Sequence, residues 1–288
     1  MKIGLLGNCQ IQGVARSIRL FAPDVEILLR SVSFTAAEQA ETIEMIANDL
    51  ADCDLALIQS LDDAQPRLTN LFETVIARAT TRRWPPILFR GFHPDCIYVR
   101  HDGRVVDGIA GPYHSALLCA AWAEGLPPLR AARLFNAFTY TALGYFDAFE
   151  EAAVLLTAQA DRHGFQFSTF LDAPTAPFMH TINHPRIEVL QSIAAQALDM
   201  SGLTRAPTPP LADDELSKGP IWPTYPELAR RRGWMPVPAS WDPSDMEAVA
   251  RQAYEALEPL GDFFTGQPDT PGEHAILKAR TFIRDYVK

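Results

Sequence analysis

At 288 residues, with 48% hydrophobic and 21% charged side chains, the chain has the composition of a soluble globular protein able to bury a full core, and no run of about 18 apolar residues is present to span a bilayer. The net charge of −10 argues against DNA or RNA as the main partner while leaving room for a local basic pocket. Cys9, Cys53, Cys96 and Cys119 are scattered without a C-x-x-C pair, which predicts reduced thiols and neither a zinc site nor a disulfide scaffold.

The chain opens on a strand, Ile3–Leu6, that runs into Gly7-Asn8-Cys9-Gln10 and then a helix. Such a start does not read as a signal peptide, so a cytoplasmic protein is expected. Ile11, Val14, Ala15, Ile18 and Phe21 form one apolar face of that helix, while Gln12, Arg16 and Arg19 point elsewhere. Strand and helix signals then alternate: a strand at Val25–Ser31, a helix at Ala36–Leu50, a strand at Asp54–Ser60, a helix at Leu68–Ala79 and a fourth strand at Pro86–Arg90. Strands this apolar, joined by helices, predict an α/β fold with a mostly parallel sheet covered on both faces.

Ile97–Arg100 and Arg104–Val106 read as a hairpin across His101-Asp102-Gly103. The rest of the chain is expected to be largely helical, with helices at His114–Glu124, Leu129–Ala137, Tyr140–His163 and from Pro185 to about Met200. Residues 204–243 are rich in proline but carry Trp222, Tyr225, Trp234 and Trp241, so they are expected to wrap and pack and not to be a solvated linker. Helices at Asp245–Leu257 and Glu273–Tyr286 complete a division into residues 1–203, an α/β plus helical domain, and 204–288, a wrapping segment with the C-terminal helices.

Ligands of parallel sheets sit at the carboxyl ends of the strands. Cys9, the Gln59-Ser60 pair and Arg90-Gly91-Phe92-His93 all follow predicted strands and are candidates to converge. A thiol at a helix N-terminus is expected to have a lowered pKa and to lie where a phosphate or oxyanion is held; the alternative is a small core residue. Arg90 offers paired donors for phosphate or carboxylate, or else a structural salt bridge. His93 is a candidate base or a turn cap, and His114, beside Ser115 at a helix start, is a cap or a ligand contact. His180 and His184, with Asn183 between them, stand at one helix mouth; either is a candidate base, a cap or a buried hydrogen-bonded ring. Their spacing precedes the helix, and no Glu completes an H-E-x-x-H pattern, so no metal is expected.

Gly7-Asn8-Cys9-Gln10, Phe89-Arg90-Gly91-Phe92-His93-Pro94-Asp95, Gly111-Pro112-Tyr113-His114-Ser115 and Asn183-His184-Pro185, in that order over roughly residues 1–200, resemble the WcbI family of capsular-polysaccharide biosynthesis proteins. Ile221-Trp222-Pro223-Thr224-Tyr225-Pro226-Glu227 resembles a further stretch of some relatives. The resemblance implies a protein that binds coenzyme A or acetyl-CoA and transfers an acetyl group to a sugar acceptor, in association with polysaccharide-synthesis enzymes. Carried over residue by residue, it makes Cys9 the active-site thiol, Asn8 and Gln10 its turn, and His180 or His184 the base. Arg90 and His93 then lie near the ligand, with Arg16, His114 and Asn183 as further candidate contacts. The family also resembles SGNH-type esterases, but the nucleophile position is Cys9 and Thr181 stands where an Asp-x-x-His would place Asp. An SGNH-like carbohydrate esterase and a non-catalytic nucleotide-binding or partner-binding protein are the competing expectations.

Overall fold

In the computed structural model, which describes residues 1–32, 39–61, 65–102, 104–261 and 271–287, the first strand and helix form as their patterning requires. Strand β1 (Lys2–Gly7) is buried along its length after Lys2, and helix α1 (Ile11–Phe21) buries the face carrying Ile11, Val14, Ala15, Ile18 and Phe21. The chain continues through β2 (Glu26–Ser31), α2 (Ala40–Ala51), β3 (Leu55–Gln59), α3 (Thr69–Arg78) and β4 (Thr81–Trp84). The four strands are all parallel, in the order β2-β1-β3-β4. Leu6 lies opposite Ile58, and Gly7 lies opposite Ser31.

Side chains alternate across the sheet. Leu6, Ala56 and Ile58 join Ile43, Ile46, Leu50, Leu71, Phe72 and Val75 in the core beneath α2 and α3. Each such aliphatic side chain, fully buried, stabilises the fold by roughly 1.5–3 kcal/mol relative to exposure. The opposite face carries α1.

The fourth strand lies five residues before its predicted place. Pro85 and Pro86 lack N–H donors and cannot extend a ladder, so pairing stops at Trp84, opposite Gln59. Thr81-Arg82-Arg83 escapes a hydrophobicity reading because β4 is an edge strand of half-buried polar residues. Helix α2 begins at Ala40, and the earlier part of its predicted span, residues 36–38, lies outside the described residues.

The chain then forms β5 (Cys96–Tyr98), β6 (Arg100–His101), β7 (Arg104–Val105) and β8 (Tyr113–Ser115), followed by α4 (Ala116–Ala123), α5 (Pro128–Ala132), α6 (Ala137–Leu143), α7 (Ala148–Asp161) and α8 (Ser168–Leu171). Helices α9 (Ile187–Met200), α10 (Pro226–Arg232), α11 (Met246–Leu257) and α12 (Pro271–Tyr286) complete it. The predicted hairpin forms between β6 and β7, with Asp102 at φ 48°; residue 103 lies outside the described residues. The first of its predicted strands is split, because Cys96–Tyr98 pairs antiparallel with Tyr113–Ser115 instead. The helix predicted over Tyr140–His163 is two, since Gly144 takes the left-handed conformation that ends α6. Pro185 precedes α9 and is not its first residue. No helix among the described residues is long and apolar enough to cross a membrane.

By internal packing the chain divides into two units, 1–88 with 155–172 and 184–219, and 89–154 with 173–183 and 220–288. In the first, α9 packs on α1; a Cβ at Gly13 would stand 2.3 Å from Leu190 Cδ1, so the glycine is what lets the two helices approach so closely. In the second, α4 packs on α11 and α12. Phe89, Phe92, Phe149, Phe178 and Trp234 form one aromatic cluster there, with Phe92 and Trp234 centroids 4.7 Å apart. Trp222, Tyr225, Trp234 and Trp241 are all buried, so the Pro-rich stretch packs as its aromatics require.

Candidate functional site

Order β2-β1-β3-β4 makes β1 and β3 the pair at which the chain reverses its direction of travel across the sheet. The crevice beyond their carboxyl ends is where open α/β sheets bind ligands. Two segments of the first unit end there: Asn8-Cys9-Gln10 after β1, and Gln59-Ser60 at and after the end of β3.

Asn8 Oδ1 accepts the Gln10 N–H at 3.0 Å, and the Ile11 N–H reaches the Asn8 carbonyl at 3.2 Å, so the turn closes on itself before α1 begins. Gln10 provides no side-chain cap to α1. Its amide is used inward: Nε2 donates to the Ile87 carbonyl at 2.9 Å and Oε1 accepts the Ile87 N–H at 3.1 Å, as a strand neighbour would. Gln59 Nε2 donates to the same Oε1 at 2.8 Å, and Gln59 Oε1 accepts the Asn8 N–H at 2.9 Å. Gln10 and Gln59 are both fully buried. Gly7 makes this approach possible: a Cβ there would stand 2.6 Å from Gln59 Oε1 and 2.7 Å from Ile11 Cγ2.

Cys9 is partly buried, whereas Cys53, Cys96 and Cys119 are buried. Its Sγ lies 4.0 Å from Asn8 Oδ1. Burial raises the thiol pKa above its ordinary value, and the N–H groups of Cys9 and Gln10 only partly offset that. The expectation of a lowered pKa from the helix N-terminus is therefore overturned: desolvation exceeds the pull of the backbone donors.

The remaining predicted residues are divided between the units. Arg16 and His184 belong with Cys9 to the first, while Arg90, His93, His114, His180 and Asn183 belong to the second. Arg16 is held by carboxylates, with Nη2 2.5 Å from Glu215 and Nη1 3.6 Å from Asp213. His184 stands two residues before Arg186, the N-cap of α9, and the Ile187 N–H is taken by Asp214 Oδ2 at 3.3 Å.

In the second unit Arg90 Nη2 donates to the Pro94 carbonyl at 3.1 Å, tying its own loop. His93 is fully buried with Nε2 3.4 Å from the Met179 carbonyl, and desolvation lowers its pKa to about 4. His114 Nε2 lies 3.1 Å from the Val106 carbonyl, and burial lowers its pKa as well. His180 is buried. Asn183 Oδ1 accepts from Tyr113 OH at 2.6 Å, Thr181 Oγ1 at 3.2 Å and Tyr98 OH at 3.3 Å.

Several polar residues have no counterpart among the predicted site residues. Asp95, fully buried, accepts from Ser115 Oγ, Tyr145 OH at 2.7 Å, Tyr225 OH at 2.5 Å and the Leu117 N–H at 2.9 Å. Arg186 is half-buried, and its Nε meets no partner among the described residues. Gln59, expected with Ser60 to follow a strand and converge on Cys9, does meet the Cys9 turn, whereas its bonds to Asn8 and Gln10 were not predicted. Among the described residues no three His, Cys, Asp or Glu side chains cluster as a metal would require.

A family model described as Polysaccharide biosynthesis enzyme WcbI matches residues 2–206. A solved structure described as WcbI, a novel polysaccharide biosynthesis enzyme, the native protein without a disulfide bond between CoA and a cysteine, superposes with a TM-score of 0.64. It is 13% identical and covers 96% of this chain and 98% of its own. No curated protein matches the chain.

Proposed function

The chain belongs to the WcbI family of polysaccharide biosynthesis enzymes, and from that premise we propose that it binds coenzyme A or acetyl-CoA and transfers the acyl group to a sugar hydroxyl. The observation that carries this reading is the placement of Cys9. It is the one cysteine of the four that is not buried, and it stands in the turn after β1 at the sheet's switch point. The related structure is of a native protein without a disulfide bond between CoA and a cysteine, and Cys9 is the thiol of this chain best placed to meet such a ligand.

Two routes lead to the same products. In the covalent route the Cys9 sulfur attacks the thioester carbonyl and CoA leaves as its thiol. The sugar hydroxyl then attacks acyl-Cys9, its proton passing to a base and the Cys9 thiol being regenerated. Because burial holds Cys9 above its ordinary pKa, little thiolate exists at neutral pH, and this route needs a base for Cys9 as well. In the direct route a histidine takes the sugar hydroxyl's proton while the hydroxyl attacks acyl-CoA, and Cys9 shapes the pocket. His184 or His180 is the proposed base in either case.

The phosphates of CoA call for cations. Arg186 offers a guanidinium whose Nε has no protein partner among the described residues. Arg90 is a second candidate, and Arg16 would serve only by releasing Glu215 and Asp213. Asn8, Gln10, His93, His114 and Asn183 complete the proposed ligand surroundings, and the proposed setting is the cytoplasm beside other polysaccharide-synthesis enzymes.

Calorimetric titration of CoA and acetyl-CoA into wild type and Cys9→Ala tests the reading. Binding of about −8 kcal/mol, a micromolar Kd, is expected for wild type. An acetyl mass increment on Cys9 after acetyl-CoA treatment selects the covalent route. No binding at millimolar CoA overturns the proposal.

A further inference from the structure

The amide network beneath Cys9 has a fixed polarity. Ile87 presents one backbone donor and one backbone acceptor, so Gln10 must turn Oε1 to the Ile87 N–H and Nε2 to the Ile87 carbonyl. That orientation leaves Gln10 Oε1 facing Gln59, which must answer with Nε2. Gln59 Oε1 is thereby turned to the Asn8 N–H. Each amide's direction follows from its neighbour's, starting from a backbone pair that cannot flip. Both glutamines are fully buried, so no solvent is at hand to satisfy a reversed amide.

We infer that Gln59 is a positioning residue for Cys9: it is the β3 side chain that anchors the Asn8-Cys9-Gln10 turn by holding the N–H of Asn8 and the side chain of Gln10 at once. Its relevance to catalysis rests on the proposed role of Cys9, but the positioning itself does not. An apolar side chain does not replace it. A leucine fills similar volume and meets neither partner. An ionised glutamate accepts from Asn8 but presents a lone pair to Gln10 Oε1, whereas a protonated glutamate donates to Gln10 and accepts from Asn8 as the amide does.

The test follows the alkylation of Cys9 by iodoacetamide against pH, with the modified peptide identified by mass spectrometry, in wild type, Gln59→Leu and Gln59→Glu. Freeing the turn lets water reach the thiol, so Gln59→Leu is expected to alkylate at least about threefold faster at pH 7.5, its profile displaced to lower pH. A carboxylate introduced beside the turn disfavours the thiolate, so Gln59→Glu is expected to alkylate at least about threefold more slowly, its profile displaced to higher pH.

Urea unfolding of Gln59→Glu supplies a second reading that survives poor folding at neutral pH. Its folded-state carboxyl pKa is expected to lie above the unfolded value, so its stability relative to wild type should improve as pH falls towards 5 and decline as pH rises. Unchanged alkylation profiles in both variants, or a Gln59→Glu stability deficit that does not depend on pH, overturn the inference. CoA titrations on the same proteins separate the two proposals. Displaced profiles with no CoA binding by wild type leave Gln59 a positioning residue and remove the CoA reading; wild-type affinity with unchanged profiles does the reverse.

Discussion

Replacing Gly7 by alanine tests whether the approach of β1 to Gln59 is as close as the site requires. Gly7 does not lie in the left-handed region, so alanine introduces no backbone strain, and the effect is one of space. The new Cβ would stand 2.6 Å from Gln59 Oε1, 2.8 Å from Gln59 Cβ and 2.7 Å from Ile11 Cγ2. Overpacking of this kind costs about 1–3 kcal/mol. Displacing the Gln59 amide also breaks its bonds to Asn8 and Gln10, at about 1 kcal/mol each. Alanine restricts the unfolded chain and returns about 0.4–1 kcal/mol. The net expectation is a loss of about 2–5 kcal/mol, measured by urea unfolding of the full chain. A double-mutant cycle with Gln59→Gly, which removes two of the three close atoms, should show that the paired variant loses at least about 1 kcal/mol less than the sum of the single losses. A loss within about 0.5 kcal/mol of zero for Gly7→Ala, or strict additivity in the cycle, refutes the packing argument.

Further outcomes follow from the buried charges. Burial raises the Asp95 pKa despite its four donors, so native protein retains that proton at pH values where unfolded chain has lost it; the carboxyl's contribution is present at low pH and declines as pH rises above about 4. Asp95→Asn should therefore be tolerated increasingly well relative to wild type as pH rises above about 4, while Asp95→Ala should cost about 1–3 kcal/mol in urea unfolding for each of the Tyr145 and Tyr225 hydroxyls it leaves unsatisfied. His93 acts in the acid range: its folded pKa of about 4 against 6.5 unfolded makes native protein lose about 3 kcal/mol as pH falls from 7 through 4, and His93→Leu should flatten that part of the stability profile. Arg186→Gln should weaken CoA binding at least about fivefold in calorimetry while leaving the urea midpoint little changed, because its guanidinium Nε has no protein partner among the described residues to lose.

What could be read from the sequence divides along a physical line. Ile11, Val14, Ala15, Ile18 and Phe21 announced α1 because a local 3.6-residue period is enough to specify which face is buried. Cys9 in its turn was legible for the same reason: an apolar strand, a short polar break and an amphipathic helix lie within twenty residues. The family resemblance over roughly residues 1–200 agrees with the match at 2–206. The fourth strand was not legible, because Ile87-Leu88-Phe89 has the apolar look of a strand and yet Ile87 pairs with a side-chain amide, not with β3. The sign of the Cys9 pKa shift was missed because a helix N-terminus is a local feature, whereas desolvation depends on everything packed above it.

Gln59 marks the limit most clearly. Its place after Leu55-Ala56-Leu57-Ile58 made it a candidate to converge on Cys9, but neither its full burial nor its partners could be read there. Its burial is tolerated because the Asn8 N–H and Gln10 Oε1 supply the complementary groups, and Gln10 is oriented in turn by the backbone of Ile87. No window of sequence contains that set, since the four positions are joined by the switch in strand order and not by periodicity. The geometry that holds Cys9 therefore depends on non-local polar pairing, and a variant that keeps every local pattern but reverses the polarity of one amide should keep the fold of the sheet while changing the thiol.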